Sequence, residues 1–92
     1  MNVPVDVLAN FNTVGGIKPT YVRLEDEQHQ LHTHKIEDII YTKDEKYAGI
    51  AALVFGCNII IDNCKTLIKL RYQIESHTWV MVGDATRKEM QR

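Results

Sequence analysis

The stretch VPVDVLANF, residues 3–11, alternates apolar and polar side chains along its whole length. Residues 66–74, TLIKLRYQI, repeat this period of two and place Ile68, Leu70 and Tyr72 on one side. Successive side chains of a β-strand point to opposite faces, so the pattern is typical of a sheet with one dry face and one solvated face. The two stretches therefore predict a protein that is mostly β-structure.

Turn residues divide most of the remaining chain into further extended segments. Residues 17–25 and 78–82 are predicted strands, because glycines or short polar turns precede them. Pro19 has no N–H for a ladder, so its strand is expected to be an edge at that point. Residues 29–41 form a third extended segment with a broken period, and a bulge or bend near Lys35 would reconcile the two halves.

The middle of the chain allows two structures. Residues 42–46 are predicted to be a charged loop. In the segment 47–55, Tyr47, Ile50 and Val54 have the spacing of a helix. However, apolar residues alternate as far as Ile61, and β-branched residues favour a strand. We predict a strand at residues 50–61 and retain a short helix at 47–55 as the alternative.

Short connections favour strands that lie beside their sequence neighbours. A six-stranded antiparallel meander is expected to form a small barrel or a strongly curved sheet, since closure removes exposed edges. We predict one all-β domain over residues 1–83, followed by a polar C-terminal tail over residues 84–92. The side chains expected in its core are Val5, Val7, Phe11, Leu53, Phe55, Cys57, Ile59, Ile68, Leu70, Tyr72 and Ile74.

Composition limits the class of protein. Ninety-two residues with 45% hydrophobic and 25% charged side chains are typical of one globular domain near the small end of the range. The formal net charge of -1 argues against a general nucleic-acid binder, whose affinity depends on clustered lysines and arginines. The first residues lack the pattern of a secretory signal, and no apolar run approaches the ~20 residues of a membrane helix. A cytoplasmic protein is therefore expected.

Several segments together resemble a group of short bacterial β-rich proteins for which no activity is known. The resemblance covers about residues 3–82, in which a hairpin leads into a Pro-containing strand and a glycine precedes an aromatic–Cys strand. The residues that carry it are PVDVLANF (4–11), GIKPTYVR (16–23), Gly49-Ile50, Phe55, Cys57, Leu70, Tyr72 and Trp79-Val80. The chain departs from the pattern at the apolar residues 51–53 and at its cluster of histidines. The resemblance implies one small β domain and no particular chemistry.

His29, His32 and His34 are the most evident cluster of potential metal ligands. His32 and His34 share one side of a regular strand, whereas His29 falls on the other side. A zinc site needs at least three protein ligands, and His77 lies in a distant turn. The alternative is a set of exposed histidines on the solvated side of a strand, so neither a metal nor another cofactor is predicted.

The two cysteines do not indicate a reactive site. Cys57 and Cys64 lack the C-x₂₋₄-C spacing of a zinc-binding pair, and two cysteines make no disulfide framework in the cytoplasm. Cys57 shares parity with Phe55 and Ile59, so we expect a core residue, while Cys64 is expected to be exposed in a turn. A Cys–His nucleophile would require the two groups to meet in the fold. No enzyme is predicted.

One row of basic side chains suggests an interaction with nucleic acid. Lys69 and Arg71 lie on the polar side of the strand at residues 66–74, and Arg23 could lie on a neighbouring strand. Small β-barrels bind single-stranded nucleic acid through such rows combined with exposed aromatic side chains. Trp79 is the aromatic residue that would complete this surface. Arg23, Lys69, Arg71 and Trp79 are therefore the candidate binding residues.

Apolar side chains also occur on both faces of three segments, at residues 39–40, 59–61 and 79–82. They fit a tightly closed barrel that leaves some apolar residues exposed, as any protein surface does. They equally fit an apolar patch that contacts a protein partner or a second copy of the chain. We predict a non-catalytic binding or assembly module that uses its apolar strand faces. A small barrel that binds single-stranded nucleic acid is the alternative.

Overall fold

The computed structural model describes residues 2–83, and none of these residues is helical. Seven strands form one antiparallel sheet. Their bounds are β1 Asn2–Phe11, β2 Ile17–Glu25, β3 Leu31–Lys35, β4 Asp38–Tyr47, β5 Ile50–Ile61, β6 Cys64–Gln73 and β7 Thr78–Val82. The predicted strand at residues 50–61 is therefore confirmed, and the alternative helix at 47–55 is wrong. The tail predicted at residues 84–92 lies outside the described residues.

The strands follow one another around a curled sheet. Their spatial order is β3-β2-β1-β7-β6-β5-β4, and β7 pairs with β1. Read around a ring, this is the order of the sequence, with a ladder missing only between β3 and β4 among the described strands. The sheet is therefore a meander that curls into a half-barrel, as the alternation of the sequence predicts.

The sheet has seven strands and not six because the third extended segment divides. Successive pairings are all antiparallel, so β3 and β4 run in the same direction and only Ile36 and Glu37 separate them. The N–H of Ile36 donates to the carbonyl of Thr20 on β2 at 2.9 Å. The N–H of Glu37 donates to the carbonyl of Asn58 on β5 at 2.8 Å. The chain thus leaves one edge of the sheet and joins the other. The bend expected near Lys35 is confirmed.

The charged residues 42–46 form part of β4, and the predicted loop is wrong. Lys43 pairs with Val54 and Glu45 pairs with Ala52 on β5. No described strand pairs with the opposite edge of β4. Charged side chains commonly prevent such an edge from pairing with another chain. Here the charges mark an edge strand, whose backbone is extended even though its composition resembles that of a loop.

One turn and one proline show how local sequence shapes the strands. Ala48 and Gly49 have φ angles of 52° and 83°, which suit the two-residue hairpin turn between β4 and β5. Pro19 lies before Tyr21, where the pairing between β2 and β3 begins. At Pro19, the side of β2 that faces β3 is therefore an unpaired edge, as the missing N–H of proline requires.

The core lies on the concave face of the half-barrel. Its buried cluster comprises Val22, Ile36, Phe55, Cys57, Ile59, Ile68, Leu70 and Tyr72. Val5, Val7 and Leu53 pack against this cluster and are half-buried. The prediction was wrong for Phe11 and Ile74, which are 63% and 41% exposed. Both lie at a strand end, where too little of the sheet remains to cover them.

Part of the convex face is covered by its own side chains. Val54 is fully buried there, between Lys43 and Arg71 on the neighbouring strands. Arg71 donates to Glu45 at 3.2 Å, so the two strands that flank β5 are joined by an ion pair. At the neighbouring position, a Cβ on Gly56 would collide with the ring of Tyr41. These contacts explain how a curled sheet buries residues on both faces of β5.

Candidate functional site

The concave face has two parts that differ in how well they are covered. In the middle, where residues 36–37 join the two edges, side chains are excluded from solvent. We name this part the closed centre, and its members are Val22, Phe55, Cys57, Ile59 and Leu70. Toward the start of β3 and the end of β5, an open cleft of about 1620 Å³ remains. We name it the open end, and its apolar wall consists of Val3, Val5, Leu24, Ile61, Trp79 and Met81.

The wall of the open end is apolar and only half-buried. Val5 lies opposite Trp79 and Val3 lies opposite Met81, so these side chains share the concave face with the core. The strands that carry them continue the ladders of the closed centre. Nothing in the described part of the chain covers them from the other side, because β3 is short and has no ladder with β5.

Two histidines point into the open end. His32 pairs with Leu24 and His34 pairs with Val22, which places both on the concave face. Their position on one side is confirmed, and His32 is exposed as expected, but that side is the concave face and not the convex face. Leu31 is the strand's only large apolar residue, and it is 59% exposed on the convex face. His32, His34 and the buried Ile36 alternate with the residues between them. That alternation could have placed the two histidines on the inner face.

Each of these histidines has a hydrogen-bond partner. Nε2 of His32 donates to Oδ2 of Asp26 at 2.7 Å, because an ionised carboxylate only accepts. Nδ1 of His34 lies 3.2 Å from the carbonyl oxygen of Ile60. A carbonyl also only accepts, so Nδ1 carries the proton and Nε2 of a neutral His34 is an acceptor in the cleft. His34 therefore bridges β3 and β5 by one hydrogen bond where no ladder exists.

Asp26 organises the turn between β2 and β3 at the rim of the cleft. Its Oδ1 accepts from the N–H groups of Gln28 and Gln30 at 2.8 and 2.9 Å. The bond from Gln30 and then the bond from His32 lower the pKa of Asp26 below its ordinary value. The carboxylate is thus held in its charged form, and it fixes the turn and the position of His32 together.

The histidines are not arranged as the ligands of a metal ion. His29 lies in the turn, where it contacts Glu25 at 2.9 Å. Nδ1 of His77 lies 3.0 Å from the hydroxyl of Tyr72, in the turn between β6 and β7. Within residues 2–83, no group of three or more His, Cys, Asp or Glu side chains is placed to hold a metal ion.

The two thiols occupy different environments. Cys57 is a buried core residue, as predicted, and burial raises its pKa to about 11. Such a thiol is a poor nucleophile near neutral pH, because little of it is thiolate. Cys64 is exposed at the start of β6 and lines the open end. Neither cysteine forms a disulfide bond.

The structure does not bring the four candidate nucleic-acid-binding residues together. Lys69 and Arg71 lie on the convex face of β6, and Arg71 is engaged by Glu45. Trp79 lies on the concave face, where its ring is 5.0 Å from that of Tyr72 and 5.7 Å from that of Phe55. Arg23 is on the convex face of β2, and β1 and β7 separate it from β6.

Exposed apolar side chains also occur outside the cleft. Leu8 and Tyr21 are cross-strand neighbours there, and Leu8 is 63% exposed. Leu67 and Ile40 are exposed at other places on the sheet. Self-association through the apolar faces of residues 39–40, 59–61 and 79–82 stays a prediction.

Comparison of the chain with models of protein families, with curated proteins and with solved structures finds no match. The resemblance to short bacterial β-rich proteins therefore stays a prediction. Within residues 2–83, no helix has the length and apolar character needed to cross a membrane. The candidate site consequently depends on its own geometry, which is that of an open cleft with an apolar wall and with two histidines on β3.

Proposed function

We propose that this protein is a non-catalytic binding or assembly module, and that the apolar wall of the open end is its binding surface. The observation that supports this proposal is the incomplete burial of that wall. Its six apolar side chains occupy concave positions equivalent to those of the core, yet they remain half-exposed. A bound molecule would complete their burial.

The lining of the cleft, more than its size, agrees with a binding role. Ligand pockets usually have volumes of about 300–1,000 Å³, apolar walls and a few polar groups that orient the ligand. The open end, at about 1620 Å³, is larger than this, and it is open to solvent along one side. Nε2 of His34 and the hydroxyl of Thr66 are polar groups on its concave face. Burial of apolar surface there would supply about 25 cal/mol per Å².

The histidine environment favours binding over catalysis. An Asp–His pair can activate a nucleophile when the histidine also bonds to a hydroxyl or a thiol. Nε2 of His32 is occupied by Asp26, and within residues 2–83 no hydroxyl or thiol is hydrogen-bonded to the ring. The buried Cys57 is a poor nucleophile for the reason given above. The polar groups of the cleft are suited to orienting a molecule.

Fluorescence of Trp79 tests this proposal, because it is the single tryptophan of the chain and it lies in the cleft wall. We expect a neutral medium-chain alcohol such as 1-octanol to bind saturably and to change the emission of Trp79. The variants Val5→Thr and Met81→Gln should weaken binding, since both make the wall more polar. Leu8→Gln is the matched control, because Leu8 is exposed on the convex face.

An unchanged emission in the presence of octanol would contradict the proposal. Equal weakening by the cleft variants and by Leu8→Gln would also contradict it, because binding would then not depend on the concave face. Far-ultraviolet circular dichroism of each variant establishes that the sheet is retained.

Binding of single-stranded nucleic acid is the second candidate function. It is supported by Lys69, which lies opposite Gly56, and by Lys43, which lies opposite Val54, both on the convex face that carries the ring of Tyr41. The position of Trp79 on the other face does not support it. Fluorescence anisotropy of a labelled oligonucleotide at low salt tests it, with Lys69→Gln as the variant. No change in anisotropy at any protein concentration would contradict this function.

A further inference from the structure

We infer, on the basis of the proposed binding function, that the ligand of the open end is an apolar cation. Such a ligand is a primary or quaternary ammonium group on an alkyl or aryl body. The body would lie on the apolar wall, and the cationic group would lie at the rim of the cleft.

The charges at the open end are mostly negative. Asp26, Glu27 and Asp62 border it in the two turns, while Asp6 and Glu25 belong to its lining from convex positions of β1 and β2. The cationic residues of the lining, Arg23 and Lys65, also occupy convex positions of their strands. The excess of carboxylates is local, since the whole chain has a formal net charge of only -1. A cleft with walls of low dielectric constant concentrates the field of such charges on a ligand.

Existing contacts leave part of this charge uncompensated. Asp26 is paired with His32 at 2.7 Å, and Lys65 lies 3.9 Å from Asp38. Within residues 2–83, Glu27 and Asp62 have no ion-pair partner within 4.0 Å. Glu27 belongs to the turn between β2 and β3, and Asp62 belongs to the turn between β5 and β6. The two carboxylates therefore come from the two turns that border the cleft.

The apolar wall suits the body of such a ligand. Trp79 lines the cleft, and its indole ring offers an alkyl or aryl body a large contact surface. An anionic amphiphile would meet the same apolar wall, but its head group would lie among carboxylates. A second copy of this chain would bring a second acidic rim to the first one. Charge complementarity thus favours a small cationic ligand over both alternatives.

Ligands of equal length and different charge test the inference. Octylammonium, 1-octanol and octanoate have the same eight-carbon chain and differ in the head group. Titrations monitored by Trp79 fluorescence, at low ionic strength and below the aggregation concentration of each ligand, give three affinities. We expect octylammonium to bind about tenfold more tightly than octanoate, with octanol between them. The difference should decrease in 0.5 M salt, because salt screens exposed charges.

Variants of the rim locate the charge that matters. Glu27→Gln combined with Asp62→Asn should reduce the preference for octylammonium over octanol about fivefold. Glu75→Gln is the matched control, because Glu75 is exposed in the turn between β6 and β7 at the other end of the sheet. The octanol affinity itself should be unchanged in all three proteins. It also reports whether the apolar wall is intact.

The outcomes separate this inference from the proposed function. Equal affinities for the three ligands would overturn the inference, and the binding function would stand. A response to none of them would overturn both. A change of Trp79 emission with protein concentration in the absence of ligand would identify a second copy as the occupant, and this also would overturn the inference.

Discussion

The closed centre and the open end belong to the same strands and have the same alternation, but they differ in solvent exposure. Val22 and Val7 show the difference most directly, because they lie opposite each other on β2 and β1, and Val7 also lines the cleft. Val22 is 0% exposed, whereas Val7 is half-buried. Alternation therefore determines which face a side chain occupies, and it does not determine whether anything covers that face.

The joint at residues 36–37 produces this difference. Consecutive N–H groups of Ile36 and Glu37 donate to β2 and to β5, which brings the two edges of the sheet together at this point. The side chain of Ile36 fills the space between them and is buried. On one side of the joint, β3 and the end of β5 have only the His34 bridge to Ile60. A cleft remains because one hydrogen bond does not hold two edges in a ladder.

Thiol reactivity should show the largest difference between the two parts. Cys57 belongs to the closed centre and Cys64 lines the open end. The rise of the pKa of Cys57 from 9.0 to about 11 lowers its thiolate fraction about 100-fold, and burial further limits access. A maleimide at pH 7.5 should therefore label one thiol in the folded protein and two in urea. Rapid labelling of both thiols without denaturant would show that the centre is not closed.

The same substitution at two valines should measure the effect of cover on stability. Val22→Ala should reduce the free energy of unfolding by about 2–3 kcal/mol, because two buried methyl groups are lost and a cavity remains. Val5→Ala in the open end should cost about 1 kcal/mol or less, since its side chain already contacts solvent. Urea unfolding of both variants gives the two values. Equal losses would indicate that the open end is covered in solution.

Gly56 tests the cover on the convex side of the closed centre. Gly56→Ala should destabilise the protein by about 1–3 kcal/mol, because its Cβ would displace the ring of Tyr41. In a Tyr41→Ala background the same change should cost little, because no ring is in the way. The double-mutant cycle therefore predicts a coupling energy between these two positions. Additive losses would contradict the packing of Tyr41 on Gly56.

The smallest expected effect concerns the rim of the open end. The pKa of Asp26 lies below its ordinary value of 3.8 in the folded protein, mainly because of the bond from Gln30. The charged carboxylate of Asp26 therefore stabilises the folded state above about pH 4, and this contribution is lost as the pH falls through the folded pKa. Asp26→Asn, which has no carboxylate to protonate there, should be less stable than the parent at pH 7. The difference should shrink below pH 4, as measured by urea midpoints, and a constant difference would contradict the assignment.

Most of the fold could be predicted because the information is local. Alternation in β1 and β6 identified the concave side chains, and glycines or short polar turns marked the starts of β2 and β7. The charged strand β4 was the main error. Lys43 and Asp44 are charged because β4 is an edge, and a single sequence does not show which strand is an edge. The bend after Lys35 was predictable because it reverses the parity of the apolar residues.

The candidate site was less predictable because apolar residues occupy both faces of its strands. In β7, Trp79 and Met81 alternate with Val80 and Val82, so composition alone does not choose the inner pair. The register does choose it, since Trp79 lies opposite the buried Tyr72. In β3, Leu31 is the single large apolar residue, so the pattern suggested that its side of the strand faces the core. His32 and His34 occupy the core side instead. The same register placed Lys69 and Trp79 on different faces of the sheet.

The sequence by itself determined the class of structure, the approximate strand bounds and the turns, because backbone preferences and side-chain period act over a few neighbouring residues. Only the tertiary structure decided which edges meet and which apolar side chains remain open to solvent. Those properties depend on contacts between distant strands, such as the bonds from residues 36–37 to β2 and β5. The acidic rim likewise exists only because curling of the sheet brings Glu27 and Asp62 to one cleft.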